Sequence, residues 1–421
     1  MSTYTITGGA QTSGDITVSG SKNAALPMIA SVLFFETAEL TNVPDISDVH
    51  LMKEILESLG SKISFEKNTF TVDNKNLSLE NIRQDLFKKA RATYYLIPPL
   101  LARFGEVNLT YPGGCSIGKR PIDGIVRGLE QLGYASTLID ETLAFKGQSH
   151  ANDITVNAYF SVGSTIVLLL AALKRTGTTR IELSAYEPHV MNIIDVLRDA
   201  GADIALRYDH TVIIKPKVLQ KHLSGTVIGD YIVSGTLAII GALTAKEYID
   251  IHDARIEDLS AFLISIEKMG VKFEKKANDI LRVYRSKNLK AANIQTNIYP
   301  GFPTDLQSPT AILMSQADGV SKIHEILFEG RLNWLVELET MRGHIALMNP
   351  HEAMIFGKTN LRGAKVSSWD LRSGAAMLIA GMVASGTTEL DNVSHIERGY
   401  ENFVERLQGI GAKINIMSSR N

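Results

Sequence analysis

A pattern that returns about every seventy residues runs through the whole chain, and it constrains the fold more than any single motif. Six segments, ILESLGSKI, GLEQLGYAS, VLRDAGADI, SIEKMGVKF, ETMRGHIAL and RLQGIGAKI, share an amphipathic stretch that runs into a glycine. The glycines are Gly60, Gly133, Gly201, Gly270, Gly343 and Gly411, spaced by 73, 68, 69, 73 and 68 residues. Each is expected just past a helix end, where a left-handed residue closes the last turn. A strand usually follows, as in KISFE, DIALRY, VKFEKK and KINIM.

Upstream in every copy lies a second helical stretch rich in Ala and aliphatics. The six are NAALPMIASVLF, RATYYLIPPLLARF, VGSTIVLLLAALKR, SGTLAIIGALTA, DLQSPTAILMSQA and RSGAAMLIAGMVAS. They are apolar nearly all round, so they should be interior helices. Strands such as AELTNV, TTRIELS and TTELDNV follow them. The repeat therefore reads strand, buried helix, strand, amphipathic helix, strand, hairpin strand. Helices buried in the middle place the sheets outside them, which excludes a doubly wound sandwich.

Composition adds limits. The 421 residues allow two or three domains of ordinary size. A net charge of −2 gives no global support for a nucleic-acid or membrane role, so any anion site must come from local clustering. The polar start MSTYTITGGAQ does not read as a signal peptide, and runs such as IVLLLAAL are too short to span a bilayer. A cytoplasmic protein is expected. HExxH, CxxC and P-loop patterns are absent from the sequence, so no metal and no cofactor is expected.

Two positions in the repeat collect chemistry. The starts of the buried helices hold Lys22, Arg91, Val162, Ser234, Asp305 and Arg372. The starts of the amphipathic helices hold Arg120, Arg331 and Arg398 in the second, fifth and sixth copies. A cation at a helix N-terminus opposes the dipole, which is poor helix design but suits an anion site. The only cysteine, Cys115, sits in YPGGCSIGKRPID, among three glycines and beside Lys119 and Arg120. A lone cysteine forms no intramolecular disulfide, and nearby cations lower a thiol pKa. From this segment alone a reactive thiol and a structural one stay evenly matched.

The motifs SGSKNAALP, KARAT, PGGCSIGKRPID, SVGST, FPTDLQ, FEGR, DLR and HIERGY run in order through the chain. In these it resembles the UDP-N-acetylglucosamine 1-carboxyvinyltransferases, enolpyruvyl transferases of the EPSP synthase-like superfamily. The resemblance implies an α/β fold, a two-domain inside-out α/β barrel of six βαβαββ repeats. It implies one domain over residues 22–229, another over 1–21 and 230–421, and an active site in the cleft between them.

The implied reaction joins phosphoenolpyruvate to the 3′-hydroxyl of UDP-N-acetylglucosamine and releases phosphate, opening peptidoglycan precursor synthesis. By resemblance, Cys115 is the acid that protonates the methylene carbon and Asp305 the base near the hydroxyl. Asp305 also suits a helix cap. Lys22 with Asn23 would hold phosphoenolpyruvate, with Arg120, Arg372 and Arg398 around its phosphate and carboxylate. Arg91, Arg331, Pro121, Ile122, Asp123, Gly124 and Leu327 would support the sugar nucleotide. Ser161, Val162 and Gly163 resemble its diphosphate-binding turn. Asp370 would orient Arg372, and His395 reads as structural. Family members with this cysteine are alkylated by the epoxide fosfomycin, which implies an adduct at Cys115.

The sequence departs from the family mainly on the sugar-nucleotide side. Gly124 replaces a usual Leu, Tyr159 a frequent Lys, and Tyr231 and Val233 an Arg and a Glu. Two alternatives follow: an enolpyruvyl transferase with a different nucleotide or nucleotide-sugar acceptor, and a non-catalytic sugar-nucleotide-binding paralogue.

Overall fold

The computed structural model describes residues 2–110 and 121–418. Cys115 and Arg120 lie outside the described residues. The rest forms two compact bodies, residues 20–110 with 121–228, and residues 2–19 with 229–418.

Each repeat contributes one small sheet. In the first, Thr37–Thr41 lies parallel to His222–Thr226 and antiparallel to Thr69–Asp73, which pairs with Lys62–Glu66. The third, fourth and fifth repeats keep this order of one parallel pair and one hairpin. The second sheet has three described strands, Glu106–Thr110, Thr142–Lys146 and Ala135–Ile139. The six sheets remain separate, and among the described residues none closes into a barrel.

Chain order and sheet membership part company at three strands. Thr12–Thr17 precedes the first buried helix yet pairs with Ala245–His252 of the fourth repeat. His222–Thr226 precedes the fourth buried helix yet pairs with the first repeat. The sixth repeat takes its hairpin strand from the chain start, where Ser2–Thr7 lies between Thr387–Asp391 and Lys413–Ser418. The chain therefore leaves one body after its second strand and returns near residue 229.

The buried helices are Lys22–Ser31, Ile97–Phe104 and Val162–Ala172 in one body, and Tyr231–Thr244, Gln307–Ser315 and Leu371–Val383 in the other. Every residue of Tyr231–Thr244 and of Gln307–Ser315 is buried, and these two pack on each other and on Leu371–Val383. Each buried Ile or Leu contributes about 1.5–3 kcal/mol, so these helices carry the core of their body. The amphipathic helices bury one stripe only, such as Ile193, Ile194 and Leu197 of Pro188–Asp199. Among the described residues no helix is long and apolar enough to cross a membrane.

Several local expectations need correction. Gly60, Gly133, Gly201, Gly270 and Gly411 have φ of 98°, 112°, 99°, 90° and 103°, but Gly343 is not left-handed. There Arg342 takes the position, at φ 67°. Arg91 opens a 3₁₀ segment, Arg91–Leu96, and the α-helix starts only at Ile97, because Pro98 and Pro99 fit only a first turn. Ser234 falls inside the first turn of a helix that Asp230 caps. Neither Arg331 nor Arg398 opens a long helix. Arg331 precedes the short segments Asn333–Leu335 and Val336–Thr340, and Arg398 follows the single turn Ser394–Glu397.

Candidate functional site

Among the described residues, most of those singled out by sequence fall into two clusters, one in each body. The first gathers around Asp305, on the turn Thr304–Leu306 just ahead of Gln307–Ser315. Asp305 caps neither segment. Its Oδ1 accepts from Arg331 Nη2 at 2.7 Å, and its Oδ2 accepts from Arg372 Nε at 3.0 Å and Nη2 at 2.9 Å. The arginine side chains are only 4% and 3% exposed, the carboxylate 25%.

Burial alone would raise the Asp305 pKa, but the Arg331 and Arg372 charges outweigh it and hold the carboxyl well below the usual carboxylate range. Burial pulls both guanidiniums down, and the surrounding acidic groups, Asp305 first among them, more than reverse this. All three groups are therefore charged at neutral pH. Among the described residues, Arg331 Nε and Arg372 Nη1 are buried donors without a hydrogen-bond partner.

Asp370 acts on Arg372 through the backbone. Its Oδ1 accepts the N–H of Arg372 at 2.8 Å and of Ser373 at 3.2 Å, while its own N–H donates to the Ser373 hydroxyl at 3.0 Å. This capping box starts Leu371–Val383 and fixes where the Arg372 side chain departs. His395 Nδ1 donates to the Ser368 carbonyl at 2.8 Å, a local tie.

Two neighbours of Arg372 escaped the sequence reading. The Tyr400 ring centre lies 5.3 Å from the Arg372 guanidinium carbon, and its hydroxyl is 3.1 Å from Thr236 Oγ1. Asp230 Oδ1 caps Tyr231–Thr244 by accepting from Ile232 N–H at 2.9 Å and Val233 N–H at 3.4 Å. Its Oδ2 is buried and has no hydrogen-bond partner among the described residues. Burial pushes this carboxyl upward, against the pull of Arg372 and the two N–H groups, and Asp305 pushes it the same way as burial. A cap signal ahead of a buried helix could have found Asp230. Tyr400 ends the HIERGY motif, from which only Arg398 and His395 were given roles.

The second cluster lies in the other body. Lys22 opens Lys22–Ser31, and its Nζ is 3.0 Å from the Asp48 carboxylate. Asn23, beside it, is half-buried. This helix packs on Arg91–Leu96. Arg91 Nη2 donates to the Pro121 carbonyl at 3.4 Å, and its guanidinium carbon lies 5.8 Å from the Tyr94 ring centre. The Tyr94 hydroxyl stands over Gly163, where an added Cβ would be 2.6 Å away. Gly163 belongs to the first turn of Val162–Ala172, capped by Ser161, whose hydroxyl accepts from Ser164 N–H at 3.3 Å. The Ser164 hydroxyl would lie 3.1 Å from a Cβ on Gly124.

Arg91, Pro121, Gly124 and Ser161–Gly163 thus form one continuous patch, with Ile122 buried and Asp123 exposed at the start of Asp123–Gln131. It combines the N-terminal end of a helix with a guanidinium, an arrangement that can accept an anion. Tyr159, 67% exposed, lies just before it in sequence.

The fold matches a known class. The family model described as EPSP synthase (3-phosphoshikimate 1-carboxyvinyltransferase) matches residues 6–407. The enolpyruvyl transferase NikO from Streptomyces tendae superposes with a TM-score of 0.90 at 25% identity, over 100% of this chain and 99% of its own. An EPSP synthase from Acinetobacter baumannii superposes at 0.75 with 17% identity, which shows the shared fold alone. Within that class, UDP-N-acetylglucosamine 1-carboxyvinyltransferase 3 from Caldanaerobacter subterraneus subsp. tengcongensis is 37% identical over 415 residues, 98% of this chain and 99% of its own. The UDP-N-acetylglucosamine 1-carboxyvinyltransferase of Halothermothrix orenii has the same identity and coverage. The chain belongs to this family of enolpyruvyl transferases.

Proposed function

We infer that the chain transfers the enolpyruvyl group of phosphoenolpyruvate to the 3′-hydroxyl of UDP-N-acetylglucosamine, releasing phosphate, in the first committed step of peptidoglycan precursor synthesis. The observation that carries this reading is the 37% identity across 98% of the chain with relatives of that name.

The chemistry has two stages. A proton from the Cys115 thiol goes to the methylene carbon of phosphoenolpyruvate, and C2 becomes electrophilic. The acceptor hydroxyl adds to C2 and gives its proton to Asp305. The tetrahedral adduct then expels phosphate and loses a proton from the new methyl group, restoring the enol ether. Lys22 with Asn23, and Arg120, Arg372 and Arg398, hold the phosphate and carboxylate. Guanidinium pairing to these groups is strong and directional.

The geometry at Asp305 supports its part in this scheme. Clamped by two arginines it is a weak base. A bound anion that draws Arg372 away would remove a cation from its side and raise its basicity toward the working pH. Arg372 Nη1, buried and without a hydrogen-bond partner among the described residues, is a donor that such an anion could satisfy. In the other body, Ser161–Gly163 and Arg91 would take the diphosphate, and Pro121–Gly124 the nucleoside. Leu327 and Arg331 would face the sugar from the Asp305 side. Phosphoenolpyruvate and nucleotide sugars are cytoplasmic metabolites, so we place the protein in the cytoplasm.

Phosphate release from phosphoenolpyruvate with a panel of acceptors tests the reading. Release with UDP-N-acetylglucosamine is expected. Release only with another nucleotide or nucleotide sugar, or none despite binding, overturns it.

A further inference from the structure

We infer that Glu325 is a positioning residue for this enzyme, holding Asp305, Arg331 and Leu327 in mutual register; the inference rests on the functional reading above. Glu325 is fully buried, at 0% exposure. It follows Gly319–His324, whose register sets Gln295 beside His324, so Thr296 and Glu325 both lie just past the ends of a parallel pair. Sites in α/β folds commonly form there.

Three groups donate to its carboxylate. Oε1 accepts from the Thr296 hydroxyl at 3.0 Å and the Leu327 N–H at 2.9 Å. Oε2 accepts from the Thr304 hydroxyl at 2.6 Å. The Thr304 oxygen in turn accepts from Arg331 Nη1 at 3.2 Å. A guanidinium has no acceptor, and the Thr304 hydroxyl donates to Glu325 Oε2. The Thr304 proton must therefore point to Glu325, and its lone pair to Arg331. Arg331 spreads its two terminal nitrogens over consecutive residues, Nη1 to Thr304 and Nη2 to Asp305. One buried carboxylate thus sets the Asp305 turn, the guanidinium fork and the Leu327 backbone.

The repeat makes this position stand out. The residue just past the equivalent strand is Asn42, Leu183, Asp253 or Asn392 in the first, third, fourth and sixth copies, at φ 54°, 48°, 55° and 57°. In the fifth copy, Glu325 is not left-handed. The shared local geometry is broken at the copy that carries Asp305 and Arg331.

Glu325→Gln keeps the shape but puts an amide N–H where Oε2 accepted from Thr304, so the Thr304 hydroxyl must turn its proton away and two donors compete for its oxygen. Thr304→Val removes the linking hydroxyl. Each variant in the full chain is expected to lower kcat roughly 10- to 100-fold, because small misplacements of reacting groups are costly. The KM for phosphoenolpyruvate should stay within about twofold, since its own ligands are untouched. The double variant should be no worse than the poorer single one, as for two parts of one relay. Wild-type kcat in a folded Glu325→Gln variant, or losses that multiply in the double variant, overturns the inference. Should Glu325→Gln fail to fold, Thr304→Val decides by the same kcat criterion. A crystal structure of Glu325→Gln gives a readout independent of turnover: Arg331 Nη1 is expected beyond hydrogen-bond reach of the Thr304 hydroxyl, and an unchanged contact overturns the inference. An inactive wild-type protein overturns the functional reading instead, and the crystal comparison then decides the positioning.

Discussion

Asp305 and Arg372 stand 67 residues apart in sequence, and Nε of one meets Oδ2 of the other at 3.0 Å. Both occupy the starts of buried helices that pack together, so the core of the body sets their meeting.

Arg372→Leu should destabilise the protein by about 3 kcal/mol, because it takes one partner from a largely buried ion pair. Urea unfolding would show it as a lower midpoint at unchanged slope. Phosphate release should fall at least roughly 100-fold, since the variant also removes an anion ligand from the reacting centre. A stable but inactive variant would separate the two roles.

The pH dependence of stability should carry opposite signs at two carboxyls. Asp305 is depressed in the native state. Its stabilising contribution is complete above about pH 4 and is lost as pH falls below that. Asp305→Asn should therefore flatten the acid limb of a stability-against-pH curve. Asp230 is raised. The native state holds its proton more tightly, so its ionisation costs stability as pH rises through the native pKa. Asp230→Asn should raise the thermal midpoint at pH 7 and lose that advantage in acid.

Gly163→Ala should act on acceptor binding. Its Cβ would come within 2.6 Å of the Tyr94 hydroxyl, so the ring beneath Arg91 must shift. The KM for UDP-N-acetylglucosamine should rise roughly tenfold, with the phosphoenolpyruvate KM nearly unchanged. Equal rises in both would count against a sugar-nucleotide patch here.

Incubation with fosfomycin and UDP-N-acetylglucosamine should add the mass of the epoxide to the intact protein. Cys115→Ala should abolish the adduct, and an unmodified wild-type mass would remove Cys115 from the role of reactive thiol.

Much of the fold was legible because the sequence repeats it. The buried helices announced themselves by apolar residues all round, and the marker glycines by helix-end chemistry. The errors have local causes. Pro98 and Pro99 delayed a helix that Arg91 should have opened, and Arg342 took the left-handed position meant for Gly343. Arg331 and Arg398 were assigned to the wrong backbone, because the helices there are broken into short turns.

The sequence by itself determined the sixfold unit, the interior helices and the identity of the charged residues at their starts. Those follow from periodicity and residue chemistry, which are local. Only the tertiary structure decided that Asp305 binds Arg331 and Arg372 instead of capping its own helix, that Asp370 works through the Arg372 backbone, and that Glu325 and Tyr400 stand behind them. The exchanged strands are likewise a tertiary outcome. Which cation a buried carboxylate chooses depends on helix ends brought together by packing, and no spacing along the chain encodes that distance.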